Sequence, residues 1–296
     1  DFPPSILNGG SSFTKFASND WKDATLWLKQ NTPEDAVIAS WWDYGYWITT
    51  LSERTTLADN ATLIDWQIKK LAYTLITPPE NSWNILSSDY TRDVSDYLGQ
   101  ETILAFGGTL SDEFDQKYLE KYGETCKQIF KAESQRLGIP EQSCNPITKG
   151  MDADYLIIYL AGERFYTERS SIPLHTLEGG GDESKKTWFA KISNHQVSKM
   201  VENDNITPTK FFMENTTLGM LTPFSIYKYV EPNTGRSFDE YRDGLIPVYL
   251  HDLKFKDPEN DPFYLVYASP SYYNQESGPM SIVLIYKINQ DYNSSQ

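Results

Sequence analysis

The run Trp41-Trp42-Asp43-Tyr44-Gly45 brings two indole side chains, a carboxylate and a glycine together within five residues. An indole N–H donates hydrogen bonds, and an ionised carboxylate accepts them. The preceding run, Ala36–Ser40, is short and mostly apolar, which predicts a buried strand. A strand that ends in this run places large donors and an acceptor at the edge of a sheet, where binding sites are common. The competing interpretation is core packing, with Asp43 capping the next helix.

A second candidate lies in Asp182-Glu183-Ser184-Lys185-Lys186-Thr187-Trp188-Phe189. On a helix, Lys185 and Phe189 are one turn apart on the same face, so both side chains can point into one cleft. Taken alone, Asp182 and Lys185 are only an i,i+3 surface ion pair worth roughly 0.2–0.5 kcal/mol. The second segment therefore depends on the first for its interpretation.

The run at 41–45 resembles the five-residue signature of the oligosaccharyltransferase catalytic subunit, which archaeal, eukaryotic and bacterial members share. The resemblance extends to Ser40, to Tyr46 and to Arg54–Asn60. The second segment resembles the family's Asp-x-x-Lys-x-x-x-Met/Ile motif, found in many archaeal and eukaryotic members, with Phe189 in place of Met or Ile. The chain thus looks like the C-terminal soluble domain of an archaeal-type subunit, most strongly over residues 20–90 and 151–230.

Such enzymes transfer an oligosaccharide from a lipid carrier to the Asn of Asn-x-Ser/Thr. The resemblance implies that this chain reads the Ser/Thr hydroxyl, which offers one donor and two acceptor sites. Trp41 and Trp42 would donate to the oxygen and Asp43 would accept the proton, while Tyr44 and Gly45 shape the turn. Lys185 and Phe189 would complete the acceptor site, with Asp182 as motif support, and Phe189 would touch the methyl group of an acceptor Thr.

No catalytic residue is predicted in this chain. The resemblance implies that acidic loops of an N-terminal membrane part bind a divalent metal, Mn or Mg, and activate the acceptor amide. The chain begins abruptly at Asp1-Phe2, as a piece of a longer protein would. We therefore expect the full-length protein to be a multi-pass glycosyltransferase of the cell membrane, with this domain on the extracellular face and inactive alone. His175, His195 and His251 are scattered and predict no metal site here.

The charge balance argues against nucleic acid as a partner. The chain has 41 acidic and 26 basic residues, a formal charge of -15, and no Lys/Arg stripe that would bind a phosphate backbone. The longest apolar runs, 155–161 and 282–286, have the length of strands and are too short to cross a bilayer. The expected partners are an acceptor protein or peptide with an Asn-x-Ser/Thr sequon and the lipid-linked oligosaccharide, the latter through the membrane part.

Covalent modification has two sets of candidates. A disulfide between Cys126 and Cys144 would stabilise the fold by roughly 3 kcal/mol by the chain-entropy estimate. The alternative is that both cysteines are free thiols. Four sequons mark candidate glycosylation sites at Asn60, Asn205, Asn215 and Asn293. The one at Asn60 follows the main motif on a stretch predicted to be exposed, so the chain is a candidate substrate of its own enzyme.

Hydrophobic periodicity predicts helices over 20–30, 64–77 and 185–200, a short helix near Glu80, and buried strands over 36–40 and 154–160. Ser111 is a predicted N-cap. Later strand-like runs cover 225–230, 246–253, 263–268 and 281–288. We predict an α/β (mixed α+β) core over 1–83 and 151–224, a helical insertion over 84–150, and a C-terminal all-β unit, barrel- or sandwich-like, over 225–296.

Two other functional classes stay open. With 20 Tyr and 8 Trp, the chain could be a non-catalytic cell-surface carbohydrate-binding module that stacks aromatic rings on sugars. A glycosidase built on paired carboxylates is the third class, although no such pair stands out in the sequence.

Overall fold

The computed structural model describes residues 14–62, 65–89, 92–107, 146–167, 171–177 and 180–292. Several predictions from the sequence lie outside these residues: the pairing of Cys126 with Cys144, the N-cap at Ser111 and the sequon at Asn293.

A single open mixed sheet organises the described residues. Its longest strands, Tyr155–Phe165 and Gly278–Ile288, run antiparallel over ten paired positions, from Tyr155 opposite Lys287 to Arg164 opposite Gly278. In chain order the described strands are β1 Val37–Ala39, β2 Thr55–Thr56, β3 Tyr155–Phe165, β4 Leu174–Leu177, β5 Phe224–Val230, β6 Ser237–Phe238, β7 Ile246–His251, β8 Phe263–Ala268 and β9 Gly278–Ile288.

Strand β3 is the centre of the sheet because both of its edges are paired. On one edge it pairs with β9, which in turn pairs with β8. The other edge is shared: β1 runs parallel to the first residues of β3, and β4 runs antiparallel to its last four. From β4 the sheet continues through β7 and β5 to β6. Both motifs identified in the sequence lie near the edge that β1 and β4 share.

The strands of the C-terminal unit are predicted correctly, but the prediction that they form a barrel or sandwich is wrong. The strands after residue 225 form where the pattern predicts them, but they join the same open sheet as the core strands. Strand β9 is buried at nearly every position from Met280 to Ile288. Such a run suits a strand that is covered on both faces inside a larger sheet. The division of the chain into three units stays a prediction, and the sheet extends across its boundaries.

Helices cover the sheet, and the first of them begins earlier than predicted. Helix α1, Thr14–Asn31, starts at Thr14, whereas the predicted helix starts at residue 20. Asp20 is buried inside the helix and accepts hydrogen bonds from the backbone N–H and the hydroxyl of Ser271, at 3.1 and 2.6 Å. Its carboxylate therefore ties α1 to the short helix at Pro270–Tyr273. One face of the helix is buried, with Trp21 and Leu28 at 2% and 0% exposure.

The predicted helix over 185–200 is broken into shorter pieces. A 3-10 turn covers Glu183–Lys185, an α-helix follows at Lys186–Ile192, and another at Val197–Met200. Asn194 lies in the left-handed region, with φ 59°, so the backbone leaves helical geometry there. The described helices are α1 Thr14–Asn31, α2 Gly45–Trp47, α3 Asp65–Ile76, α4 Pro79–Ser87, α5 Ser95–Leu98, α6 Gln100–Ala105, α7 Lys186–Ile192, α8 Val197–Met200, α9 Lys210–Asn215, α10 Thr217–Leu221 and α11 Pro270–Tyr273.

The described ends of the predicted insertion belong to the main core. Helices α4 to α6 bury Ile85, Leu98 and Ile103 in the same apolar cluster as the strands. Within the described part of the chain, no helix combines the length and apolar character that crossing a bilayer requires.

Candidate binding groove at the sheet edge

The first motif forms a compact helical segment directly after β1. Trp42–Tyr44 is a 3-10 turn, Gly45–Trp47 continues as α-helix, and Ile48–Ser52 closes as a π-helical turn. The segment ends at Glu53, whose φ of 57° is left-handed. The predicted strand and the sheet-edge position of the motif are therefore confirmed by the backbone.

Gly45 is required by a close backbone approach. A Cβ atom at this position would lie 2.3 Å from the carbonyl oxygen of Ala58 and 2.5 Å from the Cα of Asp59. Both contacts are with backbone, so no rotamer change would relieve them. The glycine thus lets the helical segment pack directly onto the 57–59 stretch, which fixes the direction in which Trp42 and Asp43 point.

Tyr44 connects the two motifs through Asp182. The Tyr44 hydroxyl, buried beneath the segment, donates a hydrogen bond of 2.8 Å to Oδ1 of Asp182. Oδ2 of Asp182 accepts a bond of 2.8 Å from the backbone N–H of Tyr159, and the Asp182 N–H donates to the Tyr159 carbonyl at 2.7 Å. Asp182 is only 1% exposed. It is therefore a buried anchor between β3 and both motifs, and the surface ion-pair interpretation of Asp182 is wrong.

Lys185 lies between two carboxylates. Its Nζ is 2.7 Å from Oδ2 of Asp43, 3.1 Å from the Tyr44 hydroxyl and 3.5 Å from Oδ1 of Asp182. The ammonium group also lies 4.8 Å from the centre of the Tyr44 ring. One cation thus holds the Asp43 carboxylate in place and offsets the charge of the buried Asp182.

Burial controls the protonation of the two groups beneath Lys185. It raises the pKa of Asp182 above its usual value, while Lys185 and the hydrogen bonds from Tyr159 and Tyr44 act in the opposite direction. Burial also raises the pKa of Tyr44 well above its ordinary value, and the neighbouring Asp182 raises it further. Tyr44 therefore remains a protonated hydrogen-bond donor at neutral pH.

The two tryptophans of the motif have different environments. Trp41 is 3% exposed and packs edge-on against Phe189, with ring centroids 4.6 Å apart, whereas Trp42 is half-buried. Phe189 is fully buried. The prediction that Phe189 and Lys185 point jointly into a cleft is therefore wrong for Phe189. Because α7 packs beneath Trp41, this face of the helix is covered, and Phe189 supports Trp41 from behind.

An open groove of about 590 Å³ runs between α3 and α7. Trp41, Trp42, Asp43 and Lys185 form one end of it. Apart from Trp188 in the second segment, its other lining residues are not predicted from the sequence, although positions 65, 68 and 69 share one helical face and positions 188 and 192 share another. These residues are Asp65, Ile68, Lys69, Trp188 and Ile192.

The motif end of the groove holds hydrogen-bonding groups that no described residue satisfies. Neither indole N–H, of Trp41 or of Trp42, donates to another described residue, and Oδ1 of Asp43 has no partner among them. Oδ2 of Asp43 is held by Lys185. The arrangement can therefore receive a small group that accepts two hydrogen bonds and donates one.

The described residues form no cluster of metal ligands. Among them, no group of three His, Cys, Asp or Glu residues is arranged to hold a metal ion. Asp43 and Asp182, the acids nearest the groove's motif end, already share the Lys185 ammonium.

Comparison with known proteins confirms the resemblance. Residues 33–136 match the family model described as the STT3/PglB/AglB core domain. The chain is 36% identical over 110 residues to the dolichyl-diphosphooligosaccharide–protein glycosyltransferase subunit stt3 of Schizosaccharomyces pombe, covering 37% of this chain and 13% of that protein. It is 38% identical over 92 residues to STT3 of Saccharomyces cerevisiae, covering 31% and 12%. The matched segment thus spans about an eighth of these relatives.

Two solved structures share low identity with the chain. The C-terminal domain of C. jejuni pglb is 14% identical, with 90% of this chain and 99% of that domain covered and a TM-score of 0.33. The C-terminal globular domain of the Archaeoglobus fulgidus oligosaccharyltransferase is 16% identical, with coverages of 79% and 97% and a TM-score of 0.28.

Proposed function

We propose that this chain, a relative of the STT3/PglB/AglB subunits, is the part of a membrane oligosaccharyltransferase that recognises the acceptor sequon. The enzyme would transfer a lipid-linked oligosaccharide to Asn in Asn-x-Ser/Thr, and the groove would bind the Ser/Thr hydroxyl. One observation carries the proposal: Trp41, Trp42 and Asp43 line one groove, and their two indole N–H groups and one carboxylate oxygen have no hydrogen-bond partner among the described residues.

A sequon hydroxyl matches these groups in number and kind. Its oxygen accepts two hydrogen bonds, from Trp41 and Trp42, and its proton goes to Oδ1 of Asp43. An acceptor with Ala at this position would leave the three groups unpaired in a partly desolvated groove. A polar site in that situation rejects the analogue that lacks the hydroxyl by as much as roughly four to five powers of ten.

Lys185 is a positioning residue in this scheme. By binding Oδ2 of Asp43 at 2.7 Å, it leaves Oδ1 as the oxygen that faces the hydroxyl. Tyr44 and Asp182 hold the Lys185 turn against the Asp43 turn from below.

The bond-making step belongs to another part of the enzyme. Asp43 acts as a hydroxyl acceptor and not as catalytic acid or base, because its carboxylate is committed to Lys185 and to the sequon. We assign the lipid-linked donor, the divalent metal and the reacting amide to a multi-pass membrane part. This domain then lies on the extracellular face of the cell membrane, and alone it binds acceptor without turnover.

The test uses the full-length enzyme with a lipid-linked glycan and peptides that carry Thr or Ala two residues after Asn. We expect Asp43→Ala to lower kcat/KM for the Thr peptide by roughly two powers of ten or more. Asp35→Ala, which removes an exposed carboxylate before β1, is the matched control and should retain wild-type transfer. Undiminished transfer by the Asp43→Ala enzyme would refute the proposal.

A carbohydrate-binding module is the alternative function, and the indole of Trp188 favours it. This side chain is 55% exposed at the rim of the groove, where a sugar face could stack on it. Calorimetric titration of the isolated chain separates the two functions. Sequon recognition predicts heat with an Asn-x-Thr peptide that is absent with the Asn-x-Ala peptide, whereas the module predicts heat with free oligosaccharide.

A further inference from the structure

We propose that the groove contains a second subsite, formed by Trp188, Ile192 and Ile68, which selects an apolar residue directly after the Ser/Thr of the acceptor sequon. This inference rests on the proposed function, because it takes the motif end of the groove as the hydroxyl site. It adds a specificity that Asn-x-Ser/Thr does not contain. It assigns this specificity to Trp188, an unspecified position of the second motif, and to two residues outside both motifs.

The groove is much larger than the hydroxyl site requires. Its volume is about 590 Å³, which lies within the roughly 300–1,000 Å³ range of pockets that enclose whole small ligands. A Thr side chain has three heavy atoms. At about 30 Å³ for each water-sized group, it would fill roughly 90 Å³. Most of the groove therefore remains open when the hydroxyl site is occupied.

The open part has apolar walls on both sides. Trp188 and Ile192 are four residues apart on α7, so their side chains lie on one face of that helix. Ile68 faces them from α3, and it is half-buried, as is Ile192. A single exposed aromatic side chain is ordinary on a protein surface. Apolar side chains from two helices that converge on one groove, with its polar groups collected at one end, form a continuous apolar surface.

Charge at the rim does not favour an ionic occupant. Asp65 and Lys69 also line the groove, and they are four residues apart on the same face of α3. Their opposite charges offset each other, so neither an acidic nor a basic acceptor residue gains a net attraction. The apolar walls then decide which side chain binds.

The direction of the acceptor follows from the separation of recognition and chemistry. The sequon Asn lies two residues before the Ser/Thr and must reach a reactive centre outside this chain. The peptide on the Asn side therefore leaves the groove. The peptide on the other side continues between α3 and α7, and its first residue after the Ser/Thr lies against Trp188, which neighbours Lys185 at the hydroxyl end.

The test measures kcat/KM of the full-length enzyme for acceptor peptides that differ only in the residue after Thr, Leu against Ser. We expect the wild-type enzyme to prefer Leu by about tenfold, at the low end for a side chain bound in an apolar site. Trp188→Ala should reduce the preference to about twofold or less, and Ile68→Ala on the opposite wall should reduce it in the same direction. Tyr227→Ala, an exposed aromatic side chain that does not line the groove, should leave it unchanged.

The same experiment tests the proposed function separately, by comparing kcat/KM for peptides with Thr and with Ala at the hydroxyl position. Loss of the Leu preference in Trp188→Ala, with the Thr preference intact, supports the subsite. A wild-type enzyme without a Leu preference, or a preference that survives in both Trp188→Ala and Ile68→Ala, overturns it. A Thr preference that survives Asp43→Ala overturns the proposed function instead.

Discussion

Tyr44 and Asp182, 138 residues apart in the chain, share a buried hydrogen bond of 2.8 Å. Tyr44 ends the 3-10 turn that carries Asp43, and Asp182 precedes the 3-10 turn that carries Lys185. Because Asp182 is also bonded to the backbone of Tyr159 in β3, the sheet, the two turns and the Asp43–Lys185 ion pair form one connected network. The geometry of the proposed hydroxyl site depends on that network.

Tyr44→Phe should destabilise the protein by about 1–3 kcal/mol. The variant keeps the ring but removes the donor to Oδ1 of Asp182, and a buried carboxylate oxygen that loses a partner carries a desolvation penalty of that size. Urea unfolding measures the change. Tyr46→Phe is the matched control, since Tyr46 is 44% exposed and should change stability by less than about 0.5 kcal/mol. Equal losses in the two variants would show that the Tyr44 hydroxyl does not support Asp182.

Local pattern in the sequence predicts the elements that position the site. The helical spacing of Trp21, Ala24 and Leu28 identifies the buried face of α1, and the apolar run after Asp35 predicts β1. The strand at 263–268 has the predicted bounds. These features depend on residues that are close in sequence, so periodicity is sufficient to find them.

The sequence pattern does not predict contacts between residues that are distant in the chain. The run at 281–288 predicts a strand, but only the structure shows that β9 pairs with β3 instead of closing a separate unit. Likewise, helical spacing places Lys185 and Phe189 on one face, but the packing of Trp41 decides that Phe189 is covered. The burial of Asp182 has the same origin, because the backbone of β3 supplies its partner.

Lys185→Met should destabilise the protein more at pH 7 than at pH 4. The variant removes the cation between Asp43 and Asp182, which leaves Asp182 charged and buried at a cost of about 2 kcal/mol. Burial already raises the pKa of Asp182, and loss of Lys185 raises it further. A carboxyl group with a raised folded-state pKa loses stability as the pH rises from its unfolded value through its folded value. Protonation at low pH therefore reduces the loss.

Urea unfolding of wild type, Lys185→Met and Lys191→Met across this pH range checks the prediction. Lys191 is exposed on α7, the helix that follows Lys185, so the control removes one positive charge without breaking the network. A stability loss in Lys185→Met that is the same at both pH values would show that Asp182 does not carry it.

His175 should make the protein less stable in mild acid. Burial lowers the pKa of His175 to about 4, and the neighbouring Arg164, whose Nε donates to its ring at 3.3 Å, lowers it as well. His251 acts in the same direction, and the Tyr249 backbone acts against it. The unfolded chain binds the proton near pH 6.5 and the folded chain near 4, so stability falls as the pH drops through this window, by about 3 kcal/mol in total.

Unfolding free energies between pH 7 and 4 test the role of His175. His175→Gln keeps an acceptor for Arg164 but removes the titration, so its stability should depend less steeply on pH than that of wild type. His251→Gln, which replaces an exposed imidazole, should change the slope less. An unchanged slope in His175→Gln would contradict the assignment.

In the three described sequons of this chain, the Thr hydroxyls already form hydrogen bonds within the chain. In Asp59-Asn60-Ala61-Thr62, the Thr62 hydroxyl contacts Oδ1 of Asp59 at 3.3 Å and accepts from the Asp59 N–H at 2.8 Å. In Asp204-Asn205-Ile206-Thr207, the Thr207 hydroxyl donates to Oδ2 of Asp204 at 2.6 Å. The hydroxyl of Thr217, in the sequon at Asn215, is buried and donates to the Thr77 carbonyl at 2.9 Å.

An enzyme that recognises a free sequon hydroxyl should therefore glycosylate the folded chain poorly. Asn60, Asn205 and Asn215 are themselves exposed, so access to the amide is not the obstacle. We expect site occupancy in folded, unmodified chain to be at least about tenfold below that of peptides with the same sequences, because engaging the hydroxyl first requires breaking its internal bond. Intact-mass and peptide-mapping measurements after reaction with the full-length enzyme report the occupancy at each site.

Asp204→Ala is the decisive variant for this prediction. It removes the carboxylate that holds the Thr207 hydroxyl and leaves the sequon intact, so modification of Asn205 in the folded chain should rise. Asn215 is the internal control, because its Thr217 bonds to a backbone carbonyl that the variant does not touch. A rise at both sites would indicate general loosening of the fold, and no rise at Asn205 would show that the Asp204 contact does not limit recognition. If the peptides are modified and the folded wild-type chain is not, the chain is a substrate of its own enzyme only before it folds.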